Sequence, residues 1–425
     1  MKKLIFSMLA IITIISVIGC ASPVSAAEVK SDKPRTTSPS VSPQDLAALV
    51  KGNTDFAFNL YHKLISSDGD MLFSPYSISE ALAMTWAGAQ GKTANQMASA
   101  LNFNLNQNAL HPAFNSLDLA LKSRDQTTGS TDQTPFQLNV VNAIWGQKDF
   151  KFQSNFLDVL AQNYGAGLRI VDFINKTEAS RTTINDWVAE QTKDKIQDLL
   201  PQGSVDAYTR LVLTNAVYFK AGWLSKFDKA ATTNGTFNLV NGNTVTVQMM
   251  QQSAHFNYYD GGNYEAVELP YYGNQLSMVV IVPKSGQFNA FEQSLNGDTF
   301  RNITGNLNSA YVILQMPKFK FDSSFGLKSA LTALGMTDAF NPTAADFSGM
   351  DGKQDLFIQD VVHKAYISLD ENGTEAAAAT GVIMSTTSMP TNEVHLTIDR
   401  PFLFAIRDIS TGSILFTGRV MNPAQ

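Results

Sequence analysis

The stretch "SLDENGTEAAAATGVIMSTTSMPTNEVHLTID", from Ser368 to Asp399, is the most unusual part of the sequence. It separates two runs typical of β-strands, yet its middle has no aromatic residue, no Lys and no Arg, and its one proline, Pro390, comes late. Connections longer than about 12–15 residues inside a compact domain are usually functional or disordered. By composition alone, the stretch could be a disordered surface loop or a short exposed helix through the alanines.

A two-residue alternation in this stretch indicates a third alternative. Every second residue from Thr374 is small or apolar, namely Thr374, Ala376, Ala378, Thr380, Val382 and Met384. The intervening set begins with a charge and comprises Glu375, Ala377, Ala379, Gly381, Ile383 and Ser385. Side chains alternate between the two faces of a strand, so the first set could face a core while Glu375 faces water. Because no proline occurs from 370 to 389, every amide could join a central ladder, with Gly373 as a flexible pivot.

The composition describes a globular protein. The 425 residues are 44% hydrophobic and 16% charged, with a net charge of −6 and no cluster of Lys and Arg. Phosphate binding requires such clusters, so nucleic acid is not an expected partner.

The first residues are expected to be a targeting segment. Lys2 and Lys3 precede a short apolar run, which predicts a signal peptide over 1–26. "VSA" at 24–26 suits ordinary signal peptidase, whereas "VIGC" at 17–20 resembles a bacterial lipoprotein box that would attach lipid to Cys20, the only cysteine in the chain. The polar, Pro-containing residues 27–43 predict a disordered tether.

The remaining residues, 44–425, predict one α+β domain. Helical and strand-like runs alternate without a fixed repeat, strands are longer and more frequent late in the chain, and no linker divides the segment. This pattern favours large antiparallel or mixed β-sheets with surrounding helices.

The sequence motifs of three enzyme classes are incomplete or absent. "WAGAQGKTANQ" ends in Gly91-Lys92-Thr93, but Trp86 occupies the position where a phosphate-binding loop requires glycine. The five histidines show no metal-binding spacing, and no G-x-S-x-G elbow occurs. We expect no enzymatic activity, no metal and no cofactor.

Seven fragments, in order, carry a resemblance to the serpin family that covers nearly the whole domain. They are "MLFSPYSISEALAMTWAGAQGKTANQM" (71–97), "LTNAVYFKAGW" (213–223), "VQMMQQ" (247–252), "VELPYYG" (267–273), "MPKFKF" (316–321), "VVHKAYISLDENGTEAAAAT" (361–380) and "DRPFLFAIRDISTGSILFTGRVMNP" (399–423). The resemblance implies a serpin fold with an exposed reactive loop over about 371–393. It also implies a suicide substrate, whose loop is cleaved by a serine protease and then inserts into the central sheet while a covalent acyl complex persists.

The resemblance also implies roles for individual residues. Family spacing, counted from Glu371 and from Pro401, places the reactive bond at Thr387–Ser388, with Met384 and Met389 as alternatives. The hinge that inserts first would comprise Glu371, Gly373, Thr374, Glu375, Ala376, Ala377, Ala378, Ala379 and Thr380. Ser74, Ser77, Asn215 and His363 would form a polar cluster below the point where the sheet opens (the shutter), and Lys318 would pair with Glu371 near Trp223 (the breach).

These implications lead to a specific expectation about function. The small hinge residues favour an inhibitor, because a bulky or charged inward residue would slow insertion. The absence of Lys and Arg between Lys364 and Arg400, together with Thr387, favours elastase- or subtilisin-like targets, and the Met alternatives favour chymotrypsin-like targets. The alternative is a non-inhibitory serpin that acts as a binding or chaperone-like surface protein. We expect an extracellular or cell-surface monomer, either secreted or held by lipid at Cys20.

Overall fold

The computed structural model describes residues 26–65, 69–124, 136–375 and 393–424. Ten α-helices lie in these ranges: α1 Pro43–Leu64, α2 Pro75–Trp86, α3 Gly91–Ala100, α4 Gln107–Ser123, α5 Ser154–Tyr164, α6 Thr177–Gln191, α7 Phe288–Ser294, α8 Gly297–Asn306, α9 Lys328–Ala333 and α10 Ser348–Asp351. Two 3₁₀ turns occur at Lys229–Ala231 and Asp338–Phe340.

The sixteen described strands form two sheets. The strands are β1 Ala27–Val29, β2 Met71–Phe73, β3 Gln137–Gln147, β4 Leu168–Val171, β5 Leu211–Gly222, β6 Thr233–Asn238, β7 Thr244–Asp260, β8 Tyr264–Pro270, β9 Leu276–Pro283, β10 Asn308–Pro317, β11 Phe319–Gly326, β12 Ile358–Asp370, β13 Gly373–Thr374, β14 Glu393–Thr397, β15 Phe402–Asp408 and β16 Ile414–Val420. Sheet A has seven strands in the order β1-β4-β3-β5-β13-β12-β11. Sheet B has nine, in the order β14-β10-β7-β8-β9-β15-β16-β2, with β6 paired to β7.

Both sheets are mixed, which confirms the predicted α+β class. In sheet A, β5 and β12 run parallel, whereas β3 and β5 run antiparallel. In sheet B, β14 pairs in parallel with β10, and the other pairings are antiparallel. The long strand-like runs of the sequence become β3, β5, β8 with β9, β10 with β11, and β15 with β16.

Helix α2 is the buried centre of the domain. All twelve of its residues are buried, and it contacts β3 and β5 of sheet A as well as β16 of sheet B. Ser74 caps its first turn by accepting a hydrogen bond from the amide of Ser77, and Pro75 occupies the first position, where its missing N–H costs nothing. The sequence therefore starts this helix directly beneath sheet A.

The other face of sheet A is covered by α6. Ile184 and Val188 of this helix pack in one cluster with Trp145 of β3 and Val212 of β5. Around Trp145 and Val212 the central strands of sheet A are thus covered on both faces, whereas Lys364 and Tyr366 of β12, further along the same outer face, are partly exposed.

The N-terminal segment differs from the predicted disordered tether. β1 pairs antiparallel with β4, from Ala27↔Ile170 to Val29↔Leu168, and extends the edge of sheet A. The guanidinium of Arg35 donates hydrogen bonds to Asn115 at 2.9 Å and to Asp118 at 2.5 Å. Composition predicted disorder because the segment is polar, but Ser31, Lys33 and Arg35 have partners on α4 and α5, which a local sequence pattern does not contain.

Residues 1–25 of the predicted signal peptide, including Cys20, lie outside the described residues. Within the described ranges, the helices lack the combination of length and apolar character that crossing a membrane requires.

Candidate functional site: a sheet that opens and a hinge at its opening

Sheet A is closed at one end and split at the other. β5 and β12 pair in parallel from Leu211↔Ile358 to Val217↔Ala365. Beyond this point β13 lies between them, with Thr374 opposite both Ala221 and Leu369. The first residues of the predicted reactive loop are therefore already a two-residue strand inside the sheet.

Thr374 faces the core, as the alternation in the sequence predicted. Its side chain is 1% exposed, and its hydroxyl lies 2.8 Å from the Tyr271 hydroxyl. Tyr271 in turn stacks on Trp223, with ring centroids 4.6 Å apart. The inner face at this level thus accepts one small side chain with a hydroxyl group.

Gly373 is required by close packing and not only by flexibility. A Cβ atom at this position would lie 2.1 Å from the carbonyl oxygen of Ala221, and the backbone has a φ of +145°. A larger residue would push the hinge away from β5.

Glu375 is on the opposite face from Thr374, but it is not simply exposed to water. Its carboxylate forms an ion pair with Lys195, its side chain is 15% exposed, and its backbone lies in the left-handed region with a φ of +50°. Burial and the neighbouring negative charge of Glu375 raise the pKa of Tyr218 to about 12. Glu375, the last described residue of the hinge, therefore has its charge bound outside the core.

The ion pair predicted between Glu371 and Lys318 is present. Lys318 Nζ lies 2.6 Å from the carboxylate of Glu371, which also accepts a hydrogen bond of 2.6 Å from Thr232. Burial opposes ionisation, but the hydrogen bonds from Lys318 and Thr232 hold the pKa of Glu371 below its usual value. The indole of Trp223 donates to the carbonyl of Asp370 at 3.0 Å, so this group fixes the chain just before the hinge.

The four predicted shutter residues form one buried network where sheet A is closed. His363 Nε2 accepts a hydrogen bond of 3.1 Å from the amide of Ser74, and its Nδ1 contacts the side-chain oxygen of Asn215. The amide nitrogen of Asn215 also donates to the hydroxyl of Ser77. Burial lowers the pKa of His363 to about 3, so the ring is neutral at physiological pH and acts as a hydrogen-bonding group.

Sequence inspection missed two members of this network. Asn142 of β3 accepts from Ser77 at 3.0 Å and donates to Glu80 at 2.8 Å. Glu80 is buried in α2, and burial together with the nearby Asp118 raises its pKa to about 8. The glutamate within the run "SPYSISEALAM" was the available signal, because it is the one charged residue of this run and a charged residue in a buried helix needs buried partners.

The remaining predicted site residues lie outside the described residues. These are the reactive positions Met384, Thr387, Ser388 and Met389 and the hinge residues Ala376, Ala377, Ala378, Ala379 and Thr380. In the described part of the chain, His, Cys, Asp and Glu side chains form no group suited to holding a metal ion.

The arrangement can lengthen β13 at the expense of the β5–β12 pairing. Both strands beside β13 are fixed by buried side chains, and the pairings that insertion would break are the parallel ones from Leu211 to Val217. Antiparallel pairings on both sides of a new strand would replace them.

Comparisons with known proteins agree with this geometry. The family model of serpins (serine protease inhibitors) matches residues 51–423. An uncharacterized serpin-like protein of Thermococcus kodakarensis is 42% identical over 379 residues, which cover 88% of this chain and 86% of that protein. The human leukocyte elastase inhibitor is 40% identical over 386 residues, which cover 88% of this chain and 99% of the inhibitor. The crystal structure of the thermophilic serpin tengpin in the native state superposes with a TM-score of 0.83 at 30% identity, covering 94% of this chain and 100% of that one. The chain therefore belongs to the serpin family of serine protease inhibitors.

Proposed function

We propose that the protein inhibits serine endopeptidases as a suicide substrate whose cleaved loop inserts into sheet A. The observation that carries the proposal is the position of the start of the hinge, where Thr374 is buried between β5 and β12 with a small side chain facing the core. Because Gly373 and Thr374 already pair with β5 and β12, the loop residues that follow them could continue between these strands in the same register.

The proposed reaction begins as ordinary proteolysis. The serine hydroxyl oxygen of the protease attacks the carbonyl carbon of Thr387, the peptide bond to Ser388 breaks, and Ser388 leaves as a free amine that carries the transferred proton. The acyl ester between the protease and Thr387 would then be trapped by insertion before water hydrolyses it.

The register of β13 predicts where the acyl ester travels. Gly373 lies opposite Gly222 and Thr374 opposite Ala221, so each further residue would meet the next earlier residue of β5. In this register Met384 would reach Leu211, the first residue of β5, and Thr387 would lie beyond the end of the strand. The protease would therefore be carried to the opposite end of sheet A.

The proposed class of target protease follows from the residues of the reactive loop. No Lys or Arg occurs between Lys364 and Arg400, so trypsin-like enzymes lack a suitable residue before the cleaved bond. Thr387 suits the shallow pockets of elastase- or subtilisin-like enzymes, and Met384 or Met389 would suit a chymotrypsin-like pocket. The similarity to the human leukocyte elastase inhibitor is consistent with this order.

The test is the formation of a covalent complex. We expect purified protein and subtilisin or elastase to give a band of the summed mass that survives boiling in detergent. Complete loop cleavage without such a band would refute the inhibitory mechanism and favour a non-inhibitory binding or chaperone-like protein.

We also propose that the protein is a monomer held at the cell surface by lipid on Cys20. Its lipoprotein-type box supports this localisation. Cys20→Ser should abolish lipid labelling and release the protein from membranes, whereas identical fractionation of the two forms would indicate cleavage after Ala26 and free secretion.

A further inference from the structure

The start of the described chain and the hinge lie at opposite ends of sheet A. Ala27 pairs with Ile170, Ile170 with Gly146, and Gly146 with Leu211 at the beginning of β5. The hinge residue Gly373 pairs with Gly222 at the other end of β5. With a rise of about 3.3 Å per residue, the two ends are about 36 Å apart. We call the end at Leu211 the distal pole.

We propose that residues 26–42 are a retractable spacer of a membrane-anchored inhibitor. In the free protein the spacer is docked on the domain, and it detaches when a protease has been trapped. This inference rests on the proposed function, namely loop insertion and lipid attachment at Cys20.

The docked spacer holds the distal pole close to the membrane. Seven peptide units separate Cys20 from Ala27, and a fully extended chain of this length spans at most about 25 Å. Since Ala27 is fixed at the distal pole by its pairing with β4, a lipid on Cys20 keeps that pole within this distance of the bilayer. The hinge, from which the reactive loop starts, lies at the opposite end of sheet A, about 36 Å from the distal pole.

Trapping creates a steric conflict at the distal pole. Insertion in the register of β13 carries Thr387, and the protease bound to it, to the same pole that faces the membrane. A compact protease domain of about 250 residues has a radius of gyration of about 18 Å and hence a diameter of about 45 Å. It does not fit into a gap of about 25 Å.

Release of the spacer removes this conflict. The chain from Cys20 to Ser42 then has 22 peptide units and spans up to about 79 Å, which exceeds the diameter of the protease. α1 begins at Pro43 and its residue Phe56 is fully buried in the core, so the spacer ends where α1 starts.

The contacts of the spacer are suited to release. β1 has three residues, all exposed, and among the described strands it pairs only with β4. Lys33 is 55% exposed where it pairs with Asp158 at 2.7 Å, and exposed ion pairs contribute little to stability. The less exposed contact is Arg35 with Asp118, at 2.5 Å. Further hydrogen bonds join Ser31 to Asp158, Arg35 to Asn115, and Thr36 to Asn115 and Gln162. Because most residues of the spacer are exposed, these contacts stabilise the protein less than a strand paired on both sides in the centre of sheet A would, so insertion can drive their loss.

A disulfide between the spacer and the domain tests the proposal. Ser31 Oγ lies 2.5 Å from a carboxylate oxygen of Asp158, so the two side chains are neighbours and Ser31→Cys with Asp158→Cys is a suitable pair for oxidation to a disulfide; Cys20 is the only natural cysteine. The double variant is prepared with Cys20 lipidated and bound to phosphatidylcholine vesicles, and separately with Cys20→Ser in solution. Each form is mixed with subtilisin before and after reduction by dithiothreitol.

We expect the oxidised, vesicle-bound variant to lose the detergent-stable complex and release cleaved protein, and reduction to restore the complex. The soluble variant should trap subtilisin equally well in both redox states, which shows that the disulfide does not impair folding or insertion. Equal trapping by the oxidised and reduced vesicle-bound forms would overturn the proposal.

The same experiment separates the possible failures. If the soluble protein forms no complex in either state, the suicide-substrate mechanism is wrong. If the wild-type protein does not float with the vesicles, lipid anchoring is wrong. Either result removes the membrane conflict and with it the spacer function.

Hydrogen exchange provides a second measurement: the Thr36 amide, which donates to the carbonyl oxygen of Gln162 at 2.9 Å, should lose protection when the vesicle-bound wild type traps subtilisin.

Discussion

The substitution Thr374→Arg tests whether the inward face of the hinge controls inhibition. Thr374 is 1% exposed, and its neighbours Tyr271 and Ala221 are uncharged. Burial of an unpaired charge costs several kcal/mol. If about 3 kcal/mol of this cost is present in the transition state of insertion, insertion slows by roughly 10²-fold, because each 1.36 kcal/mol is a factor of ten.

This factor is enough to change the outcome of the reaction. The trapped fraction depends on the ratio of insertion to hydrolysis of the acyl ester. If insertion in the wild type is about tenfold faster than hydrolysis, a roughly 10²-fold reduction makes it about tenfold slower, so that about one encounter in ten ends in a complex. The loop would then be cleaved as in an ordinary substrate.

The assay is a titration of subtilisin or elastase, with the complex measured by denaturing gel and the cleaved protein by mass. Ala377→Arg is the matched control, because its position in the alternation directs the same charge outward, and it should inhibit with the wild-type stoichiometry. If Thr374→Arg traps protease as efficiently as the wild type, the assignment of inward and outward residues is wrong.

Three further predictions concern stability, specificity and pH. Cleavage within 384–389 should raise the thermal midpoint by roughly tens of degrees, because insertion adds a paired, buried strand; calorimetry of intact and cleaved protein measures this, and an unchanged midpoint contradicts insertion. Thr387→Arg should create trypsin inhibition without loss of the detergent-stable complex, and rate constants that match the wild type would place the reactive bond elsewhere. Burial raises the pKa of Glu80 from 4.5 to about 8, so its contribution to the free energy of unfolding is fully present below pH 4.5 and declines as the pH rises to 8. Denaturant titrations across this range should show a flatter pH profile for Glu80→Gln, and an unchanged slope would assign the dependence to other groups.

Much of the fold was predictable because the relevant patterns are local or belong to the family. The run over 210–223 predicts a strand, and β5 spans Leu211–Gly222. The alternation from Thr374 identified the face that Thr374 buries, since parity along a strand depends only on position. The partners of Glu371 and His363 came from the family resemblance and are adjacent in the structure.

What could not be predicted depends on contacts between distant segments. The spacer is polar, so its composition predicted disorder. In the structure, Arg35 donates hydrogen bonds to Asn115 and Asp118, about 80 residues away in the sequence. The position of β13 between β5 and β12 is likewise a tertiary result, because it depends on the separation of these two strands beyond Val217. Asn142 was missed because an asparagine in a strand has no pattern that identifies the network it joins.

The register of the hinge explains why Thr374 and Thr380 of the inward set are both threonines. Thr374 is opposite Leu369, so a strand continued in this register would place Thr380 opposite His363 on one side and Asn215 on the other. These two side chains are paired with each other in the closed sheet, and insertion would separate them and leave buried polar groups without a partner. A hydroxyl arriving on the same face could bond to both, just as the hydroxyl of Thr374 bonds to Tyr271. Alanine would suffice where the inner face is apolar, at 376 and 378, whereas threonine matches the two levels at which the face presents polar groups. The sequence of the reactive loop is therefore complementary to the inner face of sheet A, into which it would insert.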